Sequence, residues 1–456
     1  MIPLYCSTLA RLLQGELVGP DQRIQAITTD SRGELSAPGT LFIALQGSRF
    51  DGHQFAAEVV TQGVQALLVQ QRLPLATSQV VVASTSQALR QLAAWVRQQA
   101  SARRVAVTGS NGKSSVKEMV FAILQQRGET LATFKNHNNQ VGVPLTLLRL
   151  TAQHRFAVLE LAAGAPGEIS QSSALVQPEA ALINNLSEAH LVGFGSLAGV
   201  AQAKGEIFTQ LTADGTAIVN LESHDLPRWQ SQLTAQQTLW RCALQATPGA
   251  DFYASAIQQH PAGGCEFLLH SPQGTVPVVL SLLGRHNVAN AVAAAALAMA
   301  VGAELSEIQQ GLAACQPIAG RLCPQWLAPE QLLIDDSYNA NVASMLAAIQ
   351  VLQQQPGYRC LVLGDMAELG ERSAACHQQV ALALAATPID HVFSIGSCSA
   401  LISRAVGGTH CRDQASLIAA LKTQLQQRWP LTILVKGSRS AGMEQVVAAL
   451  QEAAAC

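Results

Sequence analysis

The sequence predicts an α/β protein of three domains, with boundaries at 1–84, 85–315 and 316–456. Two blocks in which apolar strands alternate with amphipathic helices carry that prediction, one in the middle of the chain and one near its end. Alternation of this kind gives mostly parallel sheets covered on both faces. The length agrees, since 456 residues make about three domains at ~150 each.

The first 84 residues carry short apolar runs at 24–27, 40–45, 66–69 and 79–82. Turn signals at Pro38, Gly39, Asp51 and Gly52 punctuate them, so a small α/β domain is expected. A helix follows over 87–99, with Leu89, Leu92, Ala93 and Val96 on one face. The middle block reads as strands at 104–108, 156–161, 180–183 and 216–220, with helices between them. From about residue 250 the pattern turns to hairpin strands, then to an Ala-rich helix after Asn287. The last block has strands at 332–335, 359–364, 391–396 and 432–436, the pattern of an independent doubly wound domain.

Charged residues are 13% of the chain, and 28 Lys+Arg against 30 Asp+Glu leave a net charge of −2. That balance excludes a strongly basic nucleic-acid binder and an acidic disordered chain. The Ala-rich run at 288–303 is too short for a membrane span, which needs about 20 apolar residues. No signal peptide is read at the start. Ten scattered cysteines without a C-x-x-C pair read as reduced thiols of a cytoplasmic protein.

The strongest local signal runs from Val105 to Ser115. An apolar strand enters the turn Gly109, Ser110, Asn111, Gly112, Lys113, Ser114, Ser115, and a helix follows with Val116, Met119, Val120, Ile123 and Leu124 on one face. Such a turn aims backbone N–H groups at phosphate oxygens, and the helix N-terminus adds partial positive charge. Lys113 would pair with the β/γ-phosphates of a nucleotide, and Ser114 would offer its hydroxyl to Mg²⁺. The common first glycine would fall at Val107, so this is a shortened loop. No GTPase base-recognition motif is present, which favours ATP.

Glu160 closes a predicted central strand, where ligands of parallel sheets gather, and a carboxylate there suits Mg²⁺ beside phosphates. His190 lies on the loop after the strand that should flank the phosphate turn. Lys204 is four residues after Val200 and three before Ile207, so it shares the apolar stripe of its helix. A lysine there snorkels, pairs or is modified. Burial lowers an amine pKa, and a neutral amine can take up CO₂ as a carbamate, an anionic ligand for a second Mg²⁺.

These stretches resemble the Mur ligase family, the ATP-dependent amide-forming enzymes of peptidoglycan precursor synthesis. The likeness runs nearly end to end. It also covers Thr29 to Arg32, Asn136 to Pro144, Asn184 and Asn185, Gly193 to Ser196, Ala203 to Phe208, Gly284 to Asn287, Asp335 to Asn341, Gly364 to Gly370 and Lys436 to Ser440. The resemblance implies a UDP-sugar-binding N-terminal domain, a central P-loop ATPase-like domain and a C-terminal Rossmann-like domain. It implies ATP, two Mg²⁺ and a carbamylated Lys204, with Ser114 and Glu160 on the first ion and His190 on the second. Asn287 and Asn290 fall where the family holds adenine, and Arg321 and Asp336 where the C-terminal domain reaches the phosphates and ribose. Asp30, Ser31, Arg32, Asn136, Asn138 and Asn139 are expected UDP-sugar contacts, although Asp30 to Arg32 also reads as a local Asx turn.

The resemblance at Lys436, Gly437, Ser438, Arg439 and Ser440 implies D-alanyl-D-alanine as amine donor and UDP-N-acetylmuramoyl-tripeptide as acid. A cytoplasmic, monomeric enzyme is expected. A sister ligase adding the third peptide residue, or a folate polyglutamylating ligase, is the nearest alternative. The Asp-Asn-Pro-Arg tetrapeptide of diaminopimelate-adding relatives is missing from the chain. One departure stands out: Ala162, Ala163, Gly164 and Ala165 precede Pro166, where the family usually has Gly, a small residue and a polar one. A nucleotide-binding regulator on a degenerate scaffold would rest on that segment alone. An NAD dehydrogenase lacks its G-x-G-x-x-G signature here.

Overall fold

The computed structural model describes residues 1–33, 35, 37–47, 50–187, 191–223, 225–260 and 263–455. It has three α/β domains. The central sheet contains six strands in the order Thr238–Cys242, Thr216–Asn220, Ala180–Ile183, Arg103–Thr108, Phe156–Glu160, Thr130–Ala132, all parallel. Its inner strands are continuous runs of Val, Ile, Leu and Ala because helices cover both faces. Arg103–Thr108 leaves the sheet between Ala180–Ile183 on one side and Phe156–Glu160 on the other. Register pairs Ile183 with Thr108 and Glu160 with Val107, so three strand ends open on the same edge. A crevice at such a switch point is where open α/β sheets bind ligands.

The helix Arg285–Met299 is buried nearly all round, which explains why it shows no polar stripe in sequence. It packs between the central sheet and a three-stranded antiparallel sheet, Tyr253–Gln259, Cys265–Ser271 and Gly274–Leu280. With Leu305–Ala313 it clamps the helix Lys113–Gln125 that follows the phosphate turn. The approach is close enough that a Cβ on Gly311 would lie 2.4 Å from the Ile123 Cα. Fully burying each Leu, Ile or Val of this layer contributes about 1.5–3 kcal/mol, so the seat of the turn is one of the most firmly held parts of the domain.

The C-terminal sheet runs Cys323–Ala328, Gln331–Asp336, Leu431–Lys436, Tyr358–Leu363, His391–Ile395, Thr409–Cys411, parallel except for its first strand. Register sets Asp336 beside Lys436 at the carboxyl edge. The N-terminal sheet has five strands, Glu16–Val18, Ser78–Val81, Ala66–Val69, Thr40–Ile43 and Ala26–Thr28.

Two local readings change. The expected strand 24–27 is split at Gln25. Arg23–Ile24 pairs with Leu4–Tyr5, and Ala26–Thr28 pairs with Thr40–Ile43 in a different sheet. The Gly39 carbonyl accepts from both Gln25 N (2.8 Å) and Ala26 N (3.2 Å) and holds the break. The helix carrying Lys204 ends at Gly205 and tightens into a 3-10 turn, Glu206–Gln210. There Trp229 Nε1 donates to the Ala201 carbonyl at 3.0 Å, and its indole lies against Gly205. Among the described residues no helix is long and apolar enough to cross a membrane.

Candidate active site

The turn after Arg103–Thr108 is built as the sequence requires. Gly109 (φ +151°) and Gly112 (φ +75°) adopt backbone conformations that favour glycine, and Lys113 opens the helix. Lys113 Nζ donates to the turn's own carbonyls, Gly109 O at 2.9 Å and Ser110 O at 3.3 Å. Desolvation lowers its pKa, with the Glu160 carboxylate opposing and Arg321 adding to the drop.

Glu160 is the hub on the next strand. It is 1% exposed, and its two oxygens are held separately: Ser114 Oγ donates to Oε2 at 2.9 Å, Asn138 Nδ2 to Oε1 at 2.7 Å. Thr133 Oγ1 accepts its backbone N–H at 3.0 Å. The pair Ser114 Oγ and Glu160 Oε2 offers hard oxygen donors at the rim of a phosphate turn, the donor chemistry that Mg²⁺ takes. The expected first ion therefore fits the residues present. Arg321 Nη2 crosses from the C-terminal domain to Ser114 Oγ at 3.3 Å, its guanidinium 4.4 Å from the Tyr338 ring centroid.

An asparagine ladder supports the turn. Asn184 Nδ2 donates to Asn111 O (3.0 Å) and Asn290 Oδ1 (2.9 Å), and Asn290 Nδ2 donates to Asn287 Oδ1 (3.0 Å). Asn111 N donates to Asn185 Oδ1 at 2.8 Å. From the other domain, Asn341 Nδ2 reaches Asn111 Oδ1 at 2.7 Å while its own Oδ1 caps the helix Val342–Gln353. The turn is thus bonded to both domains. Asn184, Asn185, Asn341, Tyr338 and Lys436 were not singled out individually from sequence. The only signal for them was their place in the resembling stretches.

A cleft of about 800 Å³ runs between the domains. The phosphate turn, Asn136, Asn138 and Glu160 line one side, and Arg321, Asp336 and Lys436 line the other. His286, Asn287 and Asn290 also line it. Burial, reinforced by the Lys436 charge, pushes His286 down to about 4, so the imidazole is neutral at pH 7.

Lys204 lies on the apolar face of its helix and is 2% exposed, so its amine does not snorkel to solvent. Its Nζ sits 5.8 Å from the Phe194 ring centroid. Desolvation first, and then repulsion from Lys113, pushes the amine down to about 7. Glu206 on the next turn is engaged elsewhere, accepting from Gly167 N (2.7 Å) and Ser170 N (3.0 Å).

Other expected residues fall away from this cluster. Asp30, Ser31 and Arg32 form a turn outside the cleft, with Asp30 and Arg32 exposed and Ser31 half-buried. Asp30 Oδ1 accepts from Arg32 N at 3.0 Å, the Asx-turn geometry, and Arg32 holds the Asp30 carboxyl at about 2. Asn139 Oδ1 accepts from Gly142 N (2.9 Å), the first residue of the helix Gly142–Leu147, and Asn139 does not line the cleft. His190 lies outside the described residues. In the departing segment, Ala162 N donates to Asn138 O (2.9 Å) and Gly164 N to Glu168 Oε2 (2.8 Å). A Cβ on Gly164 would meet nothing within 4 Å. The segment is anchored by its backbone, and space does not require glycine there.

Gly112 gives a sharp prediction. A Cβ there would lie 2.5 Å from Asn290 Oδ1 and 2.7 Å from Asn184 Nδ2, on a backbone that L side chains rarely adopt. Gly112→Ala is expected to weaken nucleotide binding about 10-fold or more, since the strain alone is about 1–3 kcal/mol. Calorimetric titration with ATP would show it, and an unchanged Kd would refute the geometry.

Known proteins match the chain from end to end. The Mur ligase middle domain matches residues 107–298, the Mur ligase glutamate ligase domain 324–439, and the Mur ligase family catalytic domain 23–111. The UDP-N-acetylmuramoyl-tripeptide–D-alanyl-D-alanine ligase of Escherichia coli (strain K12) is 53% identical, with 100% of each chain covered. The protein of the same name from Haemophilus influenzae is 46% identical, again over 100% of both. Crystal structure I of MurF from Acinetobacter baumannii superposes with a TM-score of 0.91 over 99% of each chain, at 38% identity.

Proposed function

The chain belongs to the Mur ligase family, and on that premise we propose that it joins D-alanyl-D-alanine to UDP-N-acetylmuramoyl-tripeptide at the expense of ATP. The observation that carries the ligase reading is the seam at Ser114. One hydroxyl meets the buried Glu160 carboxylate of its own domain and the Arg321 guanidinium of the next. Full-length identity to relatives bearing that name supports the choice of substrates. Residues 1–84 would take the UDP-sugar, 85–315 the nucleotide and 316–456 the amine donor. The enzyme is read as a monomer, and as cytoplasmic from its scattered cysteines without a C-x-x-C pair.

Amide formation from a carboxylate and an amine in water is uphill, and ATP supplies the drive. The tripeptide carboxylate attacks the γ-phosphorus, giving an acyl phosphate and ADP. The amine of the dipeptide then attacks the acyl carbon, and a tetrahedral intermediate collapses to amide and phosphate. Two anions must meet in the first step, so fixed positive charge matters most there. Lys113 exchanges the carbonyls of Gly109 and Ser110 for phosphate oxygens. Arg321 approaches the same phosphates from the far wall. Asn287 and Asn290 face adenine, and Asp336 takes the ribose hydroxyls. Ser114 and Glu160 would hold one Mg²⁺, and Lys204 as a carbamate with His190 a second. Magnesium, when bound, offsets repulsion between carboxylate and triphosphate. Asn136 and Asn138 sit where the sugar-peptide would reach the cleft. Asp30, Ser31, Arg32 and Asn139 remain proposed contacts of the sugar nucleotide.

The test is an amine-donor panel with purified UDP-sugar tripeptide and ATP, read by product mass. D-alanyl-D-alanine is expected to be the preferred donor, with one phosphate released per amide formed. In parallel reactions, product from UDP-sugar dipeptide with diaminopimelate or lysine, or from a folate with glutamate, would assign the chain to a sister ligase.

A further inference from the structure

Lys436 ends its strand inside the cleft wall and is 2% exposed. Its Nζ donates to Asp336 Oδ2 at 2.6 Å and to the Asn339 carbonyl at 3.0 Å. The other Asp336 oxygen accepts Leu322 N at 3.1 Å. Burial raises the Asp336 carboxyl, and the Lys436 ammonium pulls the other way. The carboxylate is therefore gripped from two sides, by a cation and by a backbone N–H.

The same ammonium stands where three segments cross. Two residues beyond Asn339, Asn341 bonds the phosphate turn at Asn111. Two residues beyond Lys436, Ser438 N donates to Asp365 O at 3.0 Å, and Gly364 N donates back to Lys436 O at 2.8 Å. Ser438, Arg439 and Ser440 then line the cleft. A pair that only held two strands together would not need to face the cleft, yet both Asp336 and Lys436 line it.

We propose that Lys436 is a positioning residue, which aims the Asp336 carboxylate at the nucleotide ribose and ties that wall to the segment facing the amine donor. This rests on the reading of Asp336 given above. An isolated buried carboxylate turns away or takes up a proton, and either change removes its acceptor function. Loss of Lys436 is thus expected to act through the ribose hydroxyls rather than on the chemical step.

The experiment compares ATP with 2′,3′-dideoxy-ATP in the full-length enzyme, in wild type, K436M and K436R. Wild type should discriminate against the dideoxy nucleotide by about 10–100-fold in kcat/KM, the worth of hydrogen bonds to a charged acceptor. In K436M that ratio should fall towards one, with the loss carried by KM for ATP and little change in kcat. K436R, which keeps the charge, should recover most of the discrimination. If K436M does not fold, K436A gives the same comparison, because it also removes both the donor and the charge. A folded K436M or K436A that keeps the wild-type ratio and shows only a lower Tm would overturn the proposal. Equal use of both nucleotides by wild type would instead overturn the assignment of Asp336, and the proposal with it.

Discussion

Replacing Lys113 by Ala is expected to lower turnover by about 10³-fold, the scale seen when one preorganised charge is removed from a dry site. Three features of the structure set that expectation. The ammonium is carried on the first residue of the helix, so it moves with the phosphate turn. Among the described residues it donates to two carbonyls of that turn, at 2.9 and 3.3 Å, which it can surrender to a stronger anion. Desolvation already lowers its pKa, so pairing with phosphate relieves a cost rather than adding one. The fold should survive, because the helix is held from behind by Arg285–Met299 and Leu305–Ala313. Single-turnover phosphate release and a thermal melt would be measured together. Turnover within about threefold of wild type would remove Lys113 from the phosphate site.

Lys204→Ala carries the second large effect, a loss of about 10²–10³-fold, with partial return on adding formate or acetate. The buried amine is pushed from 10.5 down to about 7, so a substantial share of it is neutral and able to take up CO₂ at pH 7, against roughly one part in three thousand for an ordinary lysine. A ¹³C-bicarbonate NMR signal present in wild type and missing in the variant would assign the carbamate independently of activity. Full activity of Lys204→Ala in CO₂-depleted buffer would sink it. The same shift has a stability consequence. The folded pKa lies below the unfolded one, so between about pH 7 and 10.5 the unfolded chain binds more protons, and stability rises with pH across that window. Below pH 7 the full penalty of burying a cation applies. In CO₂-free and metal-free protein, Lys204→Met should therefore raise Tm most near pH 6, with the gain fading towards pH 10.5. A gain independent of pH would point to packing instead of charge.

What could be read from the chain follows the range of the interactions. The phosphate turn was legible because strand, glycines and helix start lie within about a dozen residues, and each constrains its neighbours. Lys204 was legible as sharing the apolar face of its helix, a local pattern, but that pattern did not separate a buried amine from one that snorkels. Glu160 was legible as a strand end, but its grip by Asn138 and Ser114 was not. Asn111 and Asn341 are 230 residues apart, and nothing in either neighbourhood announces the other. Asp336 and Lys436, 100 residues apart, meet only because two parallel strands share one register. The split of 24–27 escaped for a similar reason: the apolar run is continuous, and only the choice of partner strands divides it. Asp30 and Arg32 show the converse, a motif whose nearest partners are each other.

The bonds from Asn341 to Asn111 and from Arg321 to Ser114 make the phosphate turn a joint possession of two domains. Chimeras built to graft another donor specificity onto this chain must respect that ownership. Exchanging only the C-terminal third for that of a paralogue would leave each half of the joint facing a stranger. Such hybrids should fold yet handle nucleotide poorly, until Asn341 and Arg321 travel with the graft or Asn111 and Ser114 are rematched to it.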